Sequence, residues 1–143
     1  LINQIIRMKS FQVIAALLLV TIALAQARNA YFVFTDGSRS TGKADEFVIK
    51  LSDPALIQHA RALLSNTTQD APHIIGKVVK EPVWYNWEWS YHLNTSTIKF
   101  FDFNAEACDA DIAYVEEHLA EVGGQLLPGN TWCSWQSYLD REL

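Results

Sequence analysis

The sequence predicts a small secreted α+β domain: an antiparallel sheet of about five strands, two helices and one disulfide. Three observations lead to this class. Runs of aromatic and β-branched residues, which favour strands, accompany two stretches with apolar residues at helical spacing. A secretory leader precedes them, and the chain holds two cysteines. A pair of cysteines in an exported chain is typical of a disulfide.

The first 27 residues are predicted to be a leader that is removed on export. From Met8 the chain has a lysine, an apolar run and then Ala25-Gln26-Ala27, the order of charged, apolar and small residues in a secretory signal. The apolar run is too short to span a bilayer comfortably, which disfavours a membrane anchor. Cleavage before Arg28 leaves residues 28–143, the length of one domain, without a membrane span.

The acidic charge disfavours nucleic acid as a partner. The formal net charge is −5 at pH 7, and removing the leader takes away two bases and no acid. Beyond Asp102, Arg141 is the single base among many acids. Binding to phosphates needs clustered Lys and Arg. Cations, basic proteins and neutral sugars remain compatible with this charge.

The first half of the domain predicts two strands, a helix and a third strand. Ala30–Phe34 and Glu46–Leu51 are apolar or alternating runs, and Asp36-Gly37-Ser38 between them is turn chemistry. Ser52-Asp53-Pro54 then begins a helix, because Ser or Asp caps it and Pro fits its first turn. The apolar stripe of that helix is Leu56, Ile57, Ala60, Leu63 and Leu64. The next predicted strand is His73–Lys80.

An aromatic stretch follows, which holds three of the five tryptophans. The polar break Asn94-Thr95-Ser96 divides it into strands near Trp89–Leu93 and Thr97–Phe103, which we expect to pair antiparallel.

A second helix is predicted to begin near Asp109 and to end at Gly123-Gly124 in the left-handed arrangement common at helix ends. Cys108 precedes it, and Cys133 lies in an aromatic tail. A disulfide between them would attach the tail to the helix start and stabilise the domain by roughly 3 kcal/mol. The apolar stripe of this helix is Ile112, Val115, Leu119 and Val122.

Several short fragments form a combination that is fairly specific as a whole. They are Tyr85-Asn86, Trp89-Ser90-Tyr91-His92-Leu93, Phe100-Phe101, Cys108-Asp109-Ala110, Tyr114-Val115-Glu116, His118-Leu119, Val122-Gly123-Gly124, Leu127-Pro128 and Trp132-Cys133-Ser134-Trp135. The combination resembles a family of small secreted domains, some of whose members are labelled calmodulin-like, and the resemblance implies no particular activity. An EF-hand loop needs alternating oxygen ligands and a central Gly, which Asp109-Ala110-Asp111 lacks.

Aromatic side chains are the leading candidate for a ligand-binding site. Trp84, Tyr85 and Trp87, with His92 nearby, place flat rings beside hydrogen-bonding groups, which suits a sugar ring or a protein partner. On a strand, alternation would put Trp87, Trp89 and Tyr91 on one face. The alternative is that these rings form the core, since tryptophan is highly buried on average.

The acidic residues around the second predicted helix are a candidate calcium site. Glu117 and Glu121 would repel each other on a helix, and together with Glu116, Asp109 and Asp111 they could attract calcium. The alternative is a solvated face, with the aspartates stabilising the helix start. No cofactor is predicted.

A catalytic site has little support. His92 could meet Asp102 across the strand pair, and Glu81 with Glu88 could act as paired carboxylates in glycoside hydrolysis. No motif marks a nucleophile, so these residues are interpreted as polar surface.

Asn66-Thr67-Thr68 and Asn94-Thr95-Ser96 fit the N-glycosylation sequon and lie in predicted loops. Taken together, the sequence predicts a secreted, non-enzymatic module that recognises an extracellular glycan or protein through an aromatic surface. The alternative is self-assembly into an extracellular structure, by edge-strand pairing or by docking of that surface. A small hydrolase and a calcium-binding module are the remaining classes.

Overall fold

A computed structural model of the chain describes residues 29–36, 45–103 and 106–143. The predicted leader lies outside the described residues, as does most of the predicted turn after the first strand. Within the described part, nine short strands in mostly antiparallel sheets and two α-helices confirm the α+β class, but the predicted number of about five strands was too low. The elements are β1 Ala30–Asp36, β2 Glu46–Leu51, α1 Pro54–Leu64, β3 His73–Val79, β4 His92–Leu93, β5 Lys99–Phe101, α2 Ile112–Glu117, β6 Val122–Gly123, β7 Leu126–Pro128, β8 Thr131–Ser134 and β9 Ser137–Glu142.

The first sheet joins the two ends of the domain. β1 lies at its centre, with β2 and β9 antiparallel on either side. Phe32 and Phe34 are fully buried in the core, and alternation along β1 directs Val33 to the opposite face. There Val33 lies between Val48 of β2 and Arg141 of β9. This row forms the middle of the outer face of the sheet.

The second sheet is built around β3, and it corrects the predicted strand pair. β8 pairs with one edge of β3, while β4 and β5 follow each other along the other edge instead of pairing together. The break between them is a turn of 3₁₀ helix that begins after Asn94. Lys77 N–H donates to Thr97 Oγ1, and Asn94 N–H donates to Lys77 O. The edge of β3 therefore remains bonded across the interruption.

Helix α1 forms where the sequence predicts it. Asp53 Oδ1 accepts a hydrogen bond from Ala55 N–H at 2.8 Å, and Pro54 is the first helical residue. After the helix ends at Leu64, Asn66 adopts a left-handed conformation with φ 54°. This conformation lets Thr67 N–H donate to Ala62 O in the last turn. Ile57 and Ala60 are buried, as the stripe requires.

Helix α2 is shorter than predicted. It ends at Glu117, so Leu119 and Val122 follow it in a turn and a strand. Gly123 does have a positive φ of 90°, but it lies in β6. A Cβ at this position would clash with Asn130 Oδ1. The glycine is therefore explained by its positive φ and by the close approach of β6 to the turn before β8, and not by a helix end.

The core contains a group of four packed rings. Phe34, Phe47, Tyr91 and Trp132 are almost completely buried, and five of their six pairs have ring centroids 4.9 to 5.7 Å apart. Tilted and edge-to-face arrangements at such distances are favourable beyond the area they bury. The sheet around β3 and the sheet around β1 meet at these rings.

Polar atoms of the core fix the start of α2. Tyr91 Oη donates to Ile112 O at 3.0 Å, and Trp132 Nε1 donates to Ala110 O at 2.8 Å. The buried Asp36 carboxylate accepts from Ile112 N–H at 2.8 Å. Burial, with a smaller contribution from nearby carboxylates, raises the pKa of Tyr91 well above its ordinary value. Its hydroxyl therefore remains a donor.

The predicted disulfide is present. Cys108 and Cys133 are bonded, with their Cα atoms 5.1 Å apart and 25 residues between them in sequence. The bond joins the 3₁₀ turn before α2 to β8. The aromatic tail is thus attached to the helix start, as predicted.

Removing the disulfide should lower the free energy of unfolding by about 3 kcal/mol, because the unfolded chain regains the entropy of a loop of this length. Urea titration of Cys108→Ala/Cys133→Ala, followed by tryptophan fluorescence, measures the loss. Reduced wild type keeps both side chains and serves as the control for lost packing. If both proteins lose less than about 1 kcal/mol, the loop-entropy explanation is wrong.

Candidate functional site

A groove of about 260 Å³ lies on the outer face of the β2-β1-β9 sheet. Val33 and Val48, neighbours across two strands, form its apolar floor. The segment Tyr85–Glu88 forms one wall, and Trp84 lies just before it in the chain. Arg141 of β9 and Leu143 after it supply the other wall. We call it the aromatic groove; its lining residues are Val33, Glu46, Val48, Tyr85, Asn86, Trp87, Glu88, Arg141 and Leu143.

The wall segment is not a strand. Trp84–Asn86 is one turn of 3₁₀ helix, and the residues up to Ser90 form turns. The predicted alternation is therefore wrong: Trp87 is 78% exposed, Trp89 is half-buried and Tyr91 is fully buried. Trp84 is 77% exposed. Trp87 is thus exposed in the groove lining, Trp84 is exposed just before it, Trp89 is half-buried and Tyr91 belongs to the core.

The buried side chain of Asn86 holds this wall in place. Its Oδ1 accepts from Val48 N–H at 2.9 Å, and its Nδ2 donates to Tyr91 O at 3.3 Å. Trp89 Nε1 donates to Glu46 O at 2.8 Å. Side chains therefore occupy hydrogen-bonding groups on the outer edge of β2, where a neighbouring strand would otherwise bind.

Sequence reasoning did not select Asn86 as a functional residue. The signal that could have found it is an asparagine, a turn former, inside a run of strand-forming aromatic residues. Its role depends on β2, 38 residues away in the chain. No local pattern indicates that partner.

Three rings pack together at one side of the groove. The Tyr31 ring centroid lies 5.4 Å from that of Trp84 and 5.2 Å from that of Tyr85, and the last two rings are perpendicular at 5.6 Å. Burial, followed by the neighbouring Tyr31, raises the pKa of Tyr85. Tyr85 is therefore a neutral phenol that is braced by its neighbours.

An ion pair crosses the floor from β9 to β2. Arg141 Nη2 donates to Glu46 Oε2 at 2.7 Å and Nη1 to Glu46 Oε1 at 3.1 Å, while Nη1 also donates to Asp140 Oδ2 at 2.5 Å. Hydrogen bonds with Glu46 first, and then with Asp140, raise the pKa of Arg141. Glu88 is exposed at the rim and makes no ion pair or hydrogen bond with any described residue.

His92 and the proposed catalytic acids do not come together. His92 Nδ1 lies 2.8 Å from Glu81 O, and His92 is not among the lining residues of the groove. Asp102 lies beyond the other end of β3, where its Oδ1 accepts from Ala71 N–H at 2.6 Å. Of the two glutamates considered for hydrolysis, only Glu88 lies in the groove.

The acidic residues of the second half are dispersed. Glu121 lies beyond the end of α2, so it does not form the predicted helical neighbour pair with Glu117. Glu116 accepts from Ser90 N–H and Oγ at 2.9 and 2.6 Å, and Asp109 accepts from a backbone N–H of the β8–β9 turn. Among the described residues, no three His, Cys, Asp or Glu side chains gather in a way that could hold a metal ion.

Both sequon asparagines are exposed. Asn66 follows the end of α1, and Asn94 Oδ1 accepts from Ser96 N–H and Oγ at 3.0 and 2.8 Å. Neither residue lines the aromatic groove. Carbohydrate attached at either position would leave the groove lining unmodified.

The chain belongs to the BP-74 N-terminal domain family, whose model matches residues 28–143. No curated protein and no solved structure matches it. The disulfide is compatible with an extracellular protein. No helix in the described ranges is long and apolar enough to cross a membrane.

Asn86→Ala should lower the free energy of unfolding by about 1–3 kcal/mol, because Val48 N–H and Tyr91 C=O lose their partner away from water. Chemical denaturation measures the loss, and amide exchange should show faster exchange at Val48. Asn94→Ala, which removes an asparagine with exposed local bonds, is the matched control and should cost less. Equal losses in the two variants, with unchanged exchange at Val48, would contradict the assigned role.

Proposed function

We propose that this member of the BP-74 N-terminal domain family is a secreted, non-enzymatic binding module that recognises an extracellular glycan in the aromatic groove. The observation that carries the proposal is the 78% exposure of Trp87 in the groove lining, with Trp84 77% exposed at the start of the preceding 3₁₀ turn. Large apolar side chains exposed around a concave surface mark interaction sites. Here the buried Asn86 amide holds the segment that carries them, so their exposure is a fixed feature of the fold.

The composition of the groove suits a sugar. Trp87 offers a flat apolar surface for the C–H face of a sugar ring. Glu88 and Arg141 lie beside it with groups that bond to hydroxyls. The volume of about 260 Å³ is below the range of about 300–1,000 Å³ common for small-molecule sites. A groove of this size would hold one ring of a longer chain, whose neighbouring ring could extend towards Trp84.

Binding without catalysis is supported by the chemistry of the lining residues. None of those assigned to the groove is a serine, cysteine or histidine, and Glu46 is bonded to Arg141. His92 and Asp102 lie at opposite ends of β3. Incubation of a bound oligosaccharide with the protein, followed by product analysis, should therefore find intact ligand.

Self-association is the alternative, since Trp84 and Trp87 could also dock on a second copy. Edge pairing through β2 is disfavoured by the Asn86 and Trp89 side chains that occupy its outer edge. Sedimentation across a concentration series separates the two functions. A monomer at high concentration supports the binding module, and concentration-dependent assembly that Trp87→Ala abolishes supports self-association.

Trp87→Ala should reduce glycan affinity at least tenfold, since truncation of a central aromatic anchor commonly costs about 2 kcal/mol or more. A glycan array identifies the ligand, and calorimetry measures the affinity of wild type and variant. Phe103→Ala, which removes an 87% exposed ring outside the groove, is the control and should bind normally. Equal affinity of Trp87→Ala and wild type, or no binding to any glycan, would sink the proposal.

The sequons give a separate prediction. On secretion from a eukaryotic host, Asn66→Gln and Asn94→Gln should each reduce the mass by one glycan, because both asparagines are exposed acceptors. Neither substitution should change ligand affinity, since neither residue lines the groove. Intact mass spectrometry and calorimetry test the two statements. An unchanged mass in either variant would show that its sequon is unused.

A further inference from the structure

The charges around the aromatic groove are unbalanced. Its lining contains two carboxylates, Glu46 and Glu88, and one cation, Arg141. Asp140 adds a third carboxylate beside the same guanidinium. The immediate surroundings of the groove are therefore negative, as is the whole chain at −5.

The cation of the lining is already engaged. Both terminal nitrogens of Arg141 donate to Glu46, and one of them also donates to Asp140. A sulfate or uronate group would have to displace these carboxylates and then lie beside them. Like charges at such distances repel. The groove is thus a poor site for an anionic sugar.

Glu88 presents the opposite situation. It lines the groove next to Trp87, both side chains are exposed, and Glu88 has no partner among the described residues. An ammonium group at the face of a tryptophan gains a cation–π attraction. The same ammonium placed between Trp87 and Glu88 would also gain a charge partner. A neutral hydroxyl gains neither the attraction to the ring nor the full ion pair.

We infer that the ligand of the aromatic groove is a glycan with free amino groups, recognised as a cation between Trp87 and Glu88. The inference rests on the proposed function, and it names the chemical class of ligand that the groove selects. The amino group supplies charge, and the sugar ring supplies the apolar face that Trp87 contacts. Glu88 supplies the ion pair that favours amino sugars. Trp87 contacts the ring of amino and neutral sugars and adds a cation–π attraction for the ammonium.

The test compares two ligands with the same backbone. A β-1,4-linked glucosamine hexamer carries free amines, and the N-acetylglucosamine hexamer of equal length is neutral. In a mildly acidic, low-salt buffer the amino hexamer should bind wild type more tightly. Glu88→Gln should reduce that preference about two- to fivefold, the effect expected of an exposed ion pair. It should leave affinity for the neutral hexamer unchanged, and added salt should narrow the difference in wild type.

Glu117→Gln is the matched control, since it removes the same charge from an exposed position on α2 outside the groove. It should keep the wild-type preference. Equal reductions in Glu88→Gln and Glu117→Gln would assign the preference to overall charge and overturn the inference. If wild type bound the two hexamers with equal affinity and Trp87→Ala bound neither, the inference would be overturned while the proposed function would stand. Binding of neither hexamer nor any other glycan would overturn both.

Discussion

The buried amide of Asn86 is the interaction on which the outer half of this structure depends. One end of the amide accepts from Val48 on the edge of β2, and the other donates to Tyr91, which carries a core ring. The segment Trp84–Ser90 does not pair with β2 as a strand, because the side chains of Asn86 and Trp89 already bond Val48 N–H and Glu46 O on that edge. Trp84 and Trp87 consequently project from the 3₁₀ turn and the turn that follows it. A hydrogen bond to a buried partner thus determines which rings face water.

The same division explains how a small domain can use so many aromatic residues. Tyr91 and Trp132 are both amphipathic, and each uses its polar atom to bond a carbonyl near the start of α2 while its ring packs against Phe47. Buried Tyr and Trp usually find such partners. Trp89 satisfies its indole N–H on the edge of β2. Those three side chains therefore contribute to the fold, whereas Trp84 and Trp87 remain mostly exposed.

The parts of the fold that the sequence predicted are those determined by neighbouring residues or by a pair with one possible match. Asp53 and Pro54 specify the start of α1 through contacts within one turn, and a chain with two cysteines offers one intramolecular disulfide. The end of α2 was not predictable in this way. Leu119 and Val122 continue the helical spacing, but they reach the core from a turn and a strand.

The two strands of the aromatic stretch lie within the predicted ranges, but their pairing was predicted wrongly because each pairs with β3 instead of with the other. Its composition favours strands, and short strands do form at its end, but β4 and β5 share one edge of β3 because Asn94 and Thr97 bond Lys77 across the gap. Composition reports a preference for a pleated surface and gives no information about which strand supplies the partner. The exposed tryptophans were identifiable as candidates. The floor and far wall of the groove were not, since Val33 and Arg141 come from opposite ends of the domain.

The groove lining comes from distant parts of the sequence, and this has a thermodynamic consequence. The Arg141–Glu46 pair has side chains 45% and 47% exposed, and pairs of this kind add about 0–1 kcal/mol to folding. Its importance lies in joining β9 to β2 across the groove floor. Because the lining comes from β1, β2, the end of the chain from β9 onward and the segment Tyr85–Glu88, the groove exists only when all four are assembled. A ligand held there binds the folded state alone, and at a hundred times its Kd it would stabilise the domain by about 2.7 kcal/mol. Ligand recognition and the pairing of the first strand with the last are therefore coupled.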